Sequence, residues 1–505
     1  MTNPLYDSLI APQAGRADPL LITETGDLTG ADFAAMAHRY AHALAGLGLT
    51  PGDRMAVQIT KSAEALALYA AALATGVVFL PLNTAYTPDE VAYFVEDAGA
   101  ALLVGDPAAA DVLSGVAARF GAEFQTLDGA GGGSLAELAA SRPTRFQVAH
   151  RDPDDLAAIL YTSGTTGRSK GAMLTQANLL DNAQVLVKAW RFTADDTLLH
   201  MLPIFHTHGL FVASNVSLLS GGRMIFLPGF SVDRAIRWLP RATAMMGVPT
   251  FYTRLLDDPR FDRALTGHMR LFTSGSAPLL AETHRQFEDR TGHRILERYG
   301  MTETNMSTSN PYEGDRRAGT VGLPLSGVEV RITDPETGEE MPQGTPGMIE
   351  VRGHNVFKGY WRMPEKTAEE LRPNGFFITG DIGVIDADGY VSIVGRQKDL
   401  IISGGYNIYP KEIELLLDEQ PGVLETAVVG VPHPDFGEGV VAVIVPQPGA
   451  VPDPEALAAA IAPRLARFKQ PKRYVVLDDL PRNTMGKVQK NLLRDRFRKM
   501  FADKG

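Results

Sequence analysis

Apolar residues along this chain recur in two periods. From Phe33 to Leu44 they fall at Phe33, Met36, Ala37, Tyr40 and Leu44, one stripe of a helix. The runs RMAVQIT, GVVFLPLN, ALLVGD, GRMIFLP and RLFTSGSA are strand-like. Continuous apolar strands separated by helices predict parallel sheets covered on both faces. Near Gly395 the character changes. GYVSIVG before it reads as an antiparallel strand. After it, SGGYN is hairpin-like, and a helix is predicted from about Pro410 with Ile413, Leu416 and Leu417 on one face. TAVVGVP, VVAVIVP, PEALAAAIAPRLARF and RYVVLDDLP then alternate strand and helix, a compact α+β unit. The expected domains are therefore 1–395 and 396–505. GAGGGS, from Gly129 to Ser134, reads as a flexible surface loop.

The chain's 505 residues are too many for one core and predict two to four domains. A net charge of -11 argues against nucleic acid as a partner, because no basic surplus exists to neutralise phosphates. There is no cysteine, which excludes disulfides, zinc-thiolate sites and a thiol nucleophile. Thioester chemistry would have to take its sulfur from a cofactor. MTNPLYDSLIAPQAG lacks the charged and apolar regions of a signal peptide. The longest apolar stretch, ALALYAAALATGVVFLPLN, is broken by Gly76 and Pro81, so it reads as helix then strand and not as a membrane span. A cytoplasmic protein is the expectation.

YTSGTTGRSK, Tyr161 to Lys170, lies between the apolar LAAIL and GAMLTQANLL, which has helical spacing. Free backbone N–H groups, Ser and Thr hydroxyls, Arg168 and Lys170 together suit a polyanion such as a phosphate chain. An ordinary turn would need neither cation. The segment is not a Walker A loop, since Gly171 follows Lys170. GRSKG is a formal G-x-S-x-G match centred on Ser169, the mark of a serine hydrolase. A nucleophile elbow, however, sets its serine at a sharp strand-to-helix turn, and several glycines and threonines intervene here.

Other stretches add pieces. LPIFHTHGL places His206 and His208 two apart, with no carboxylate at zinc-ligand spacing. His208 closes over a pocket or is a satisfied core histidine. In TSGSAP, Thr273 to Pro278, small residues permit close approach by a flat ligand. ERYGMTET offers the flat face of Tyr299, the Thr302 hydroxyl and Glu303 as a hard oxygen ligand. Nucleotide-bound magnesium takes only one or two protein carboxylates. The alternative is a surface loop with an exposed Glu303. Asp381, after a predicted strand in FFITGDIG, and Arg396 in GRQKD suit ribose hydroxyls. Lys487 lies in the tail segment PRNTMGKVQK, where a lysine is ordinarily a solvated charge.

YTSGTTGRSKG, YGMTE, TGD, GRQKDLI and PRNTMGK, in this order over essentially the whole chain, resemble the adenylate-forming superfamily of acyl-CoA synthetases, nonribosomal adenylation domains and firefly luciferase. The resemblance implies a large α/β N-terminal domain, with parallel-rich sheets flanked by helices plus a distorted barrel, and a small mobile α+β C-terminal domain. It implies attack of a carboxylate on the α-phosphate of ATP, then displacement of AMP by the thiol of coenzyme A. Thr162, Ser163, Gly164, Thr165, Thr166, Gly167 and Lys170 would line the triphosphate. Thr302 would contact the α-phosphate and Glu303 would hold Mg2+. Gly275, Ser276, Ala277 and Pro278, with Glu297, Arg298, Tyr299, Gly300 and Met301, would frame the adenosine. Asp381 and Arg396 would bind ribose, and Lys487 would bridge the reacting carboxylate and phosphate. Lys398 would be the hinge, and Ser403, Gly404, Gly405 and Tyr406 would line the pantetheine tunnel. In relatives a protein acetyltransferase modifies the lysine corresponding to Lys487.

LPIFHTHGLF, MMGVPTFYTRLL, FTSGSAPLL and ERYGMTETNM resemble malonyl-CoA synthetases more than fatty-acyl or aryl members. The second carboxylate of malonate cannot be buried unpaired, so a cation should await it. The resemblance points to Arg254, with His208 assisting and Arg285 a weaker candidate. The bland reading of Arg254 is a helix-surface arginine. Methylmalonate differs by one methyl and stays open as a substrate. A nucleotide-binding pseudoenzyme and a domain loading a carrier protein are the remaining alternatives.

Overall fold

The computed structural model describes residues 2–162, 169–404, 406–483 and 487–501. Ser163, Gly164, Thr165, Thr166, Gly167 and Gly405 lie outside the described residues. The chain forms two compact units, residues 1–330 with 351–377, and residues 331–350 with 378–505. The boundary expected near residue 395 lies within the second unit.

The first unit holds two large sheets. One has six strands, in the order Glu123–Thr126, Leu102–Gly105, Arg54–Gln58, Val78–Pro81, Leu156–Thr162 and Lys170–Thr175. All its pairings are parallel except the last. The other has nine strands, of which six run parallel: Leu296–Met301, Leu271–Ser274, Ala244–Gly247, Thr197–His200, Arg223–Phe226 and Pro19–Ile22. Apolar residues such as Ala56, Leu80 and Leu103 in the first sheet, and Leu199, Met245 and Phe272 in the second, are fully buried against covering helices. That burial is why these strands read as continuous apolar runs rather than alternating ones. The predicted helix around Phe33–Leu44 spans Gly30–Gly46. Thr29 caps it, accepting from the Asp32 N–H while the Asp32 side chain reaches back to the cap.

In the second unit, the edge strand Val423–His433 pairs antiparallel with Gly437–Pro446, the strand that joins the rest of a five-stranded sheet. Val428, Val440, Ala442 and Ile444 face a core with Ile413 and Leu417, while Val429, Val441, Val443 and Val445 face Leu480, Leu493 and Phe497. The two-residue period thus serves two cores at once. The helix predicted from Pro410 runs Pro410–Asp418, and SGGYN joins the antiparallel strands Ile401–Ser403 and Tyr406–Ile408. Four further strands, Val328–Thr333, Gly347–Gly353, Phe377–Ile385 and Val391–Arg396, form an open path; no closed barrel occurs among the described residues. No helix there is long and apolar enough to cross a membrane.

Candidate active site

One sequence expectation changes beside the glycine-rich segment. The segment after it does not begin a helix. Lys170–Thr175 is a strand antiparallel to Leu156–Thr162, Thr162 faces Lys170 in register, and the helix starts only at Gln176. The loop therefore joins two strands of a hairpin. A nucleophile elbow needs a strand-to-helix turn, so the placement of Ser169 speaks against a serine hydrolase.

The hairpin carries one end of the candidate site. Lys170 Nζ donates to Glu370 at 3.0 Å and lies 4.2 Å from the Tyr360 ring centroid. The Tyr360 hydroxyl is 2.6 Å from Glu370 Oε2 and 3.0 Å from Glu303 Oε1. Thr162 Oγ1 lies 3.5 Å from the same Glu303 oxygen. Glu303 is buried, which overturns the reading of an exposed surface-loop carboxylate. Burial and the two carboxylates push the Tyr360 hydroxyl far above the ordinary phenol range. Burial works against the Glu370 charge, yet hydrogen bonds from Tyr360, Lys366 and Lys170 hold its carboxyl below the usual range. Among the described residues no cluster of three or more His, Cys, Asp or Glu could hold a metal. Buried Glu303 beside a threonine hydroxyl nevertheless fits magnesium that arrives with phosphates and needs one protein carboxylate. Tyr360 and Glu370 belong to no motif recognised in the sequence, and only the tertiary fold brings them here.

The other end lies at the carboxyl ends of the parallel strands, where open α/β sheets bind ligands. Gly247, Ser274 and Glu297 stand in register across three neighbouring strands. Arg298 follows Glu297 and is buried, and its Nε and Nη2 have no hydrogen-bond partner among the described residues. Burial lowers its guanidinium to about 9, with Tyr252 opposing. Gly275 packs flat on it, since a Cβ there would come 2.4 Å from the guanidinium. Ser276 takes a left-handed φ of 71°, strained for a residue with a side chain, and its Oγ is 3.2 Å from His208 Nδ1. His208 is buried and its Nε2 has no partner among the described residues, unlike a satisfied core histidine. Burial, then Arg298, His200 and His206, keep it well below the ordinary imidazole range and hence neutral. Gly300 sits in the following hairpin, where a Cβ would strike the Asn305 carbonyl at 1.8 Å. Tyr299, Met301 and Thr302 are half-buried, whereas Pro278 is exposed.

The remaining candidates are more scattered. Arg254, in the helix Pro249–Leu256, is exposed and has no ion pair among the described residues. Arg285 is exposed and pairs with Glu282 one turn away at 2.8 Å. In the second unit Asp381 lies inside the strand Phe377–Ile385, not after it, because the strand continues through Ile385. There it faces Arg396, their side chains 2.7 Å apart. Lys398 is exposed, and its carbonyl accepts from Arg494 at 3.4 Å. Ser403 is buried, Gly404 takes φ 60°, and exposed Tyr406 stacks on Phe468 at 4.5 Å. Lys487 is exposed; its N–H donates to Asn483 Oδ1 at 3.0 Å and its carbonyl accepts from Asn483 N at 2.9 Å.

Known proteins resemble this chain over most of its length. ATP-bound MatB from Rhodopseudomonas palustris superposes with a TM-score of 0.97 at 56% identity, covering 99% of this chain and 100% of that one. Malonate–CoA ligase of Arabidopsis thaliana is 36% identical over 89% of this chain and 79% of its own length. Feruloyl-CoA synthase of an Amycolatopsis species is also 36% identical, over 93% of this chain and 94% of its own. The family model described as AMP-binding enzyme matches residues 11–361, and that of the AMP-binding enzyme C-terminal domain matches residues 412–487. A glycine- and hydroxyl-rich sequence between paired strands, a buried carboxylate beside Thr162 and these two matches have one common reading: the chain belongs to the AMP-binding enzymes.

Proposed function

We propose that the protein joins malonate to coenzyme A at the expense of ATP, through an acyl-adenylate, releasing AMP and pyrophosphate. The observation that carries the substrate is Arg298, a buried guanidinium with two nitrogens lacking a partner among the described residues. An unpaired buried cation is costly and calls for an anion. A monocarboxylate has only its reacting group to offer, whereas malonate brings a second carboxylate. The Arabidopsis relative is named a malonate–CoA ligase, which supports the same substrate. The feruloyl relative matches at equal identity, so another acid is the alternative reading. Arg254 remains the second cation proposed for the distal carboxylate.

In the first half-reaction one malonate oxygen attacks the α-phosphorus and pyrophosphate leaves. Both reactants are anions, so catalysis rests on positioning and charge stabilisation. Lys170 and the hairpin loop hold the phosphates, Thr302 meets the α-phosphate and Lys487 offsets charge at the reacting atoms. Magnesium held by Glu303 would supply further positive charge. In the second half-reaction the thiol sulfur attacks the carbonyl carbon, the thiol gives up its proton and AMP departs. Lys398 serves as the hinge between the two steps. Neutral His208 and Ser276 orient the acyl group without adding charge. A cytoplasmic setting supplies both cosubstrates, and acetylation of Lys487 would delete its charge.

Pyrophosphate release measured with malonate, methylmalonate, acetate and a fatty acid, with and without coenzyme A, tests the reading. Malonate should lead, and acetate should fail because it leaves Arg298 unmatched. Equal turnover of acetate and malonate would refute it. Lys487→Ala should slow adenylation about a hundredfold or more while sparing thioester formation from preformed adenylate. Single-turnover assays of the two half-reactions separate these effects.

A further inference from the structure

Two basic groups near the acyl end have no part in the reaction described so far. Lys61 lies just past the strand Arg54–Gln58, and His200 ends the strand Thr197–His200 of the other sheet. Lys61 Nζ is 2.9 Å from His200 Nδ1 and donates to the His200 carbonyl at 2.8 Å. It also lies 4.3 Å from the Phe226 ring centroid. No carboxylate pairs with Lys61 among the described residues. On the far side of the imidazole, His200 Nε2 is 3.0 Å from the Gly209 carbonyl and 3.1 Å from Ser214 Oγ. Burial pulls the Lys61 amine well below its ordinary range, but the Gly209 carbonyl can only accept, so Nε2 carries the proton and Nδ1 is the bare acceptor that faces the Lys61 N–H groups. The Nε2–H then donates to the Gly209 carbonyl, one residue after His208.

That carbonyl belongs to an uncommon turn. His208–Ser214 is a π-helix, a form concentrated at functional sites. Gly209 is pressed onto the preceding loop, since a Cβ there would come 1.9 Å from the Pro203 carbonyl. The turn is thus held between the 203 backbone on one side and the His200 imidazole on the other. A carboxylate in place of Lys61 would also hold His200, but it would cancel part of the positive field awaiting an anion. Burial and the Lys61 charge instead keep His200 neutral.

We propose that Lys61 is a positioning residue for the acyl pocket, setting the orientation of His208 against Ser276 through His200 and the Gly209 carbonyl. The proposal rests on the reading that His208 and Arg298 face the acyl substrate. Losing a supporting partner of this kind typically costs a factor of about 10–100. Lys61→Met should therefore raise KM for malonate about tenfold or more, with KM for ATP unchanged. Lys61→Gln keeps an N–H donor and should recover most of the loss. Lys61→Met with His200→Gln should be no worse than the poorer single variant, because the two act in series.

Full-length enzyme is assayed by pyrophosphate release, with thermal midpoints recorded alongside. An unchanged malonate KM in Lys61→Met, additive losses in the double variant, or equal rises in both KM values with a lowered midpoint would each overturn the proposal. Arg298→Ala in the same assay separates the two ideas. If it leaves malonate preference intact, the acyl-pocket reading fails; if preference collapses there but Lys61→Met is silent, only the positioning role fails.

Discussion

The two ends of the candidate site solve opposite electrostatic problems. At the proposed phosphate end, among the described residues, Lys170 is met by Glu370, and Glu303 by the Tyr360 and Thr162 hydroxyls. At the acyl end Arg298 and His208 are buried with nitrogens lacking partners, and no acid pairs with either among the described residues. One strand, Leu296–Met301, carries Arg298 and leads within two residues to Glu303. The difference is therefore not general burial but what each end receives. A phosphate chain with its metal can displace prearranged partners. A small dianion has few contacts to give, so its binding must come from charges left waiting for it.

Four experiments would break or sharpen that contrast, and the largest effect belongs to the unpaired end. Arg298→Ala should lower kcat/KM for malonate about a hundredfold or more, the scale of losing one member of a buried charge pair, and should leave acetate little changed. Arg254→Ala, at an exposed position, should lose about tenfold or less. If Arg254 dominates, the acyl end is built differently from the description above.

Glu303→Gln should come next, raising the magnesium concentration needed for half-maximal pyrophosphate release by about tenfold or more. An unaltered magnesium titration would remove Glu303 from that role. Glu370→Gln should do less. It frees Lys170 from a partner that the incoming phosphates must displace, so KM for ATP should fall about threefold, the scale of a partly exposed ion pair. A large rise would mean that Glu370 acts on the nucleotide directly.

The smallest effect concerns stability. His200 and His208 are held well below the ordinary imidazole value of 6.5, by burial first and by neighbouring cations second. As pH falls below about 6.5 the unfolded chain binds protons that the folded protein refuses, so stability decreases on acidification. Each imidazole contributes up to ~1.4 kcal/mol per pH unit in that window. Denaturant midpoints from pH 7 to 5 should fall, and His208→Gln should flatten part of the slope. A slope unaffected by the substitution would show that the imidazole titrates normally.

Much of this protein was legible in its sequence because the signals are local. Continuous apolar runs marked the parallel strands, and the capped stripe around Phe33 marked a helix. SGGYN marked a hairpin, and the motif order marked the family. Each depends on residues within one element, where period and turn chemistry act directly. The same local reading erred after Lys170, where a spacing compatible with helix became a strand because it pairs with Leu156–Thr162. It erred for Asp381, whose strand runs on past it through pairing with Val391–Arg396.

What the sequence could not carry is which charges meet. Glu370 reaches Lys170 across 200 positions, and Lys61 reaches His200 across 139. Arg298 resembles any other arginine in a glycine-bearing motif until the fold buries it with no acid paired to it among the described residues. Residue types and their order determined the architecture and the family. Only the tertiary structure decided which cations are already paired and which still await an anion, because pairing depends on distance in space and on the exclusion of water, and neither is a property of a linear chain.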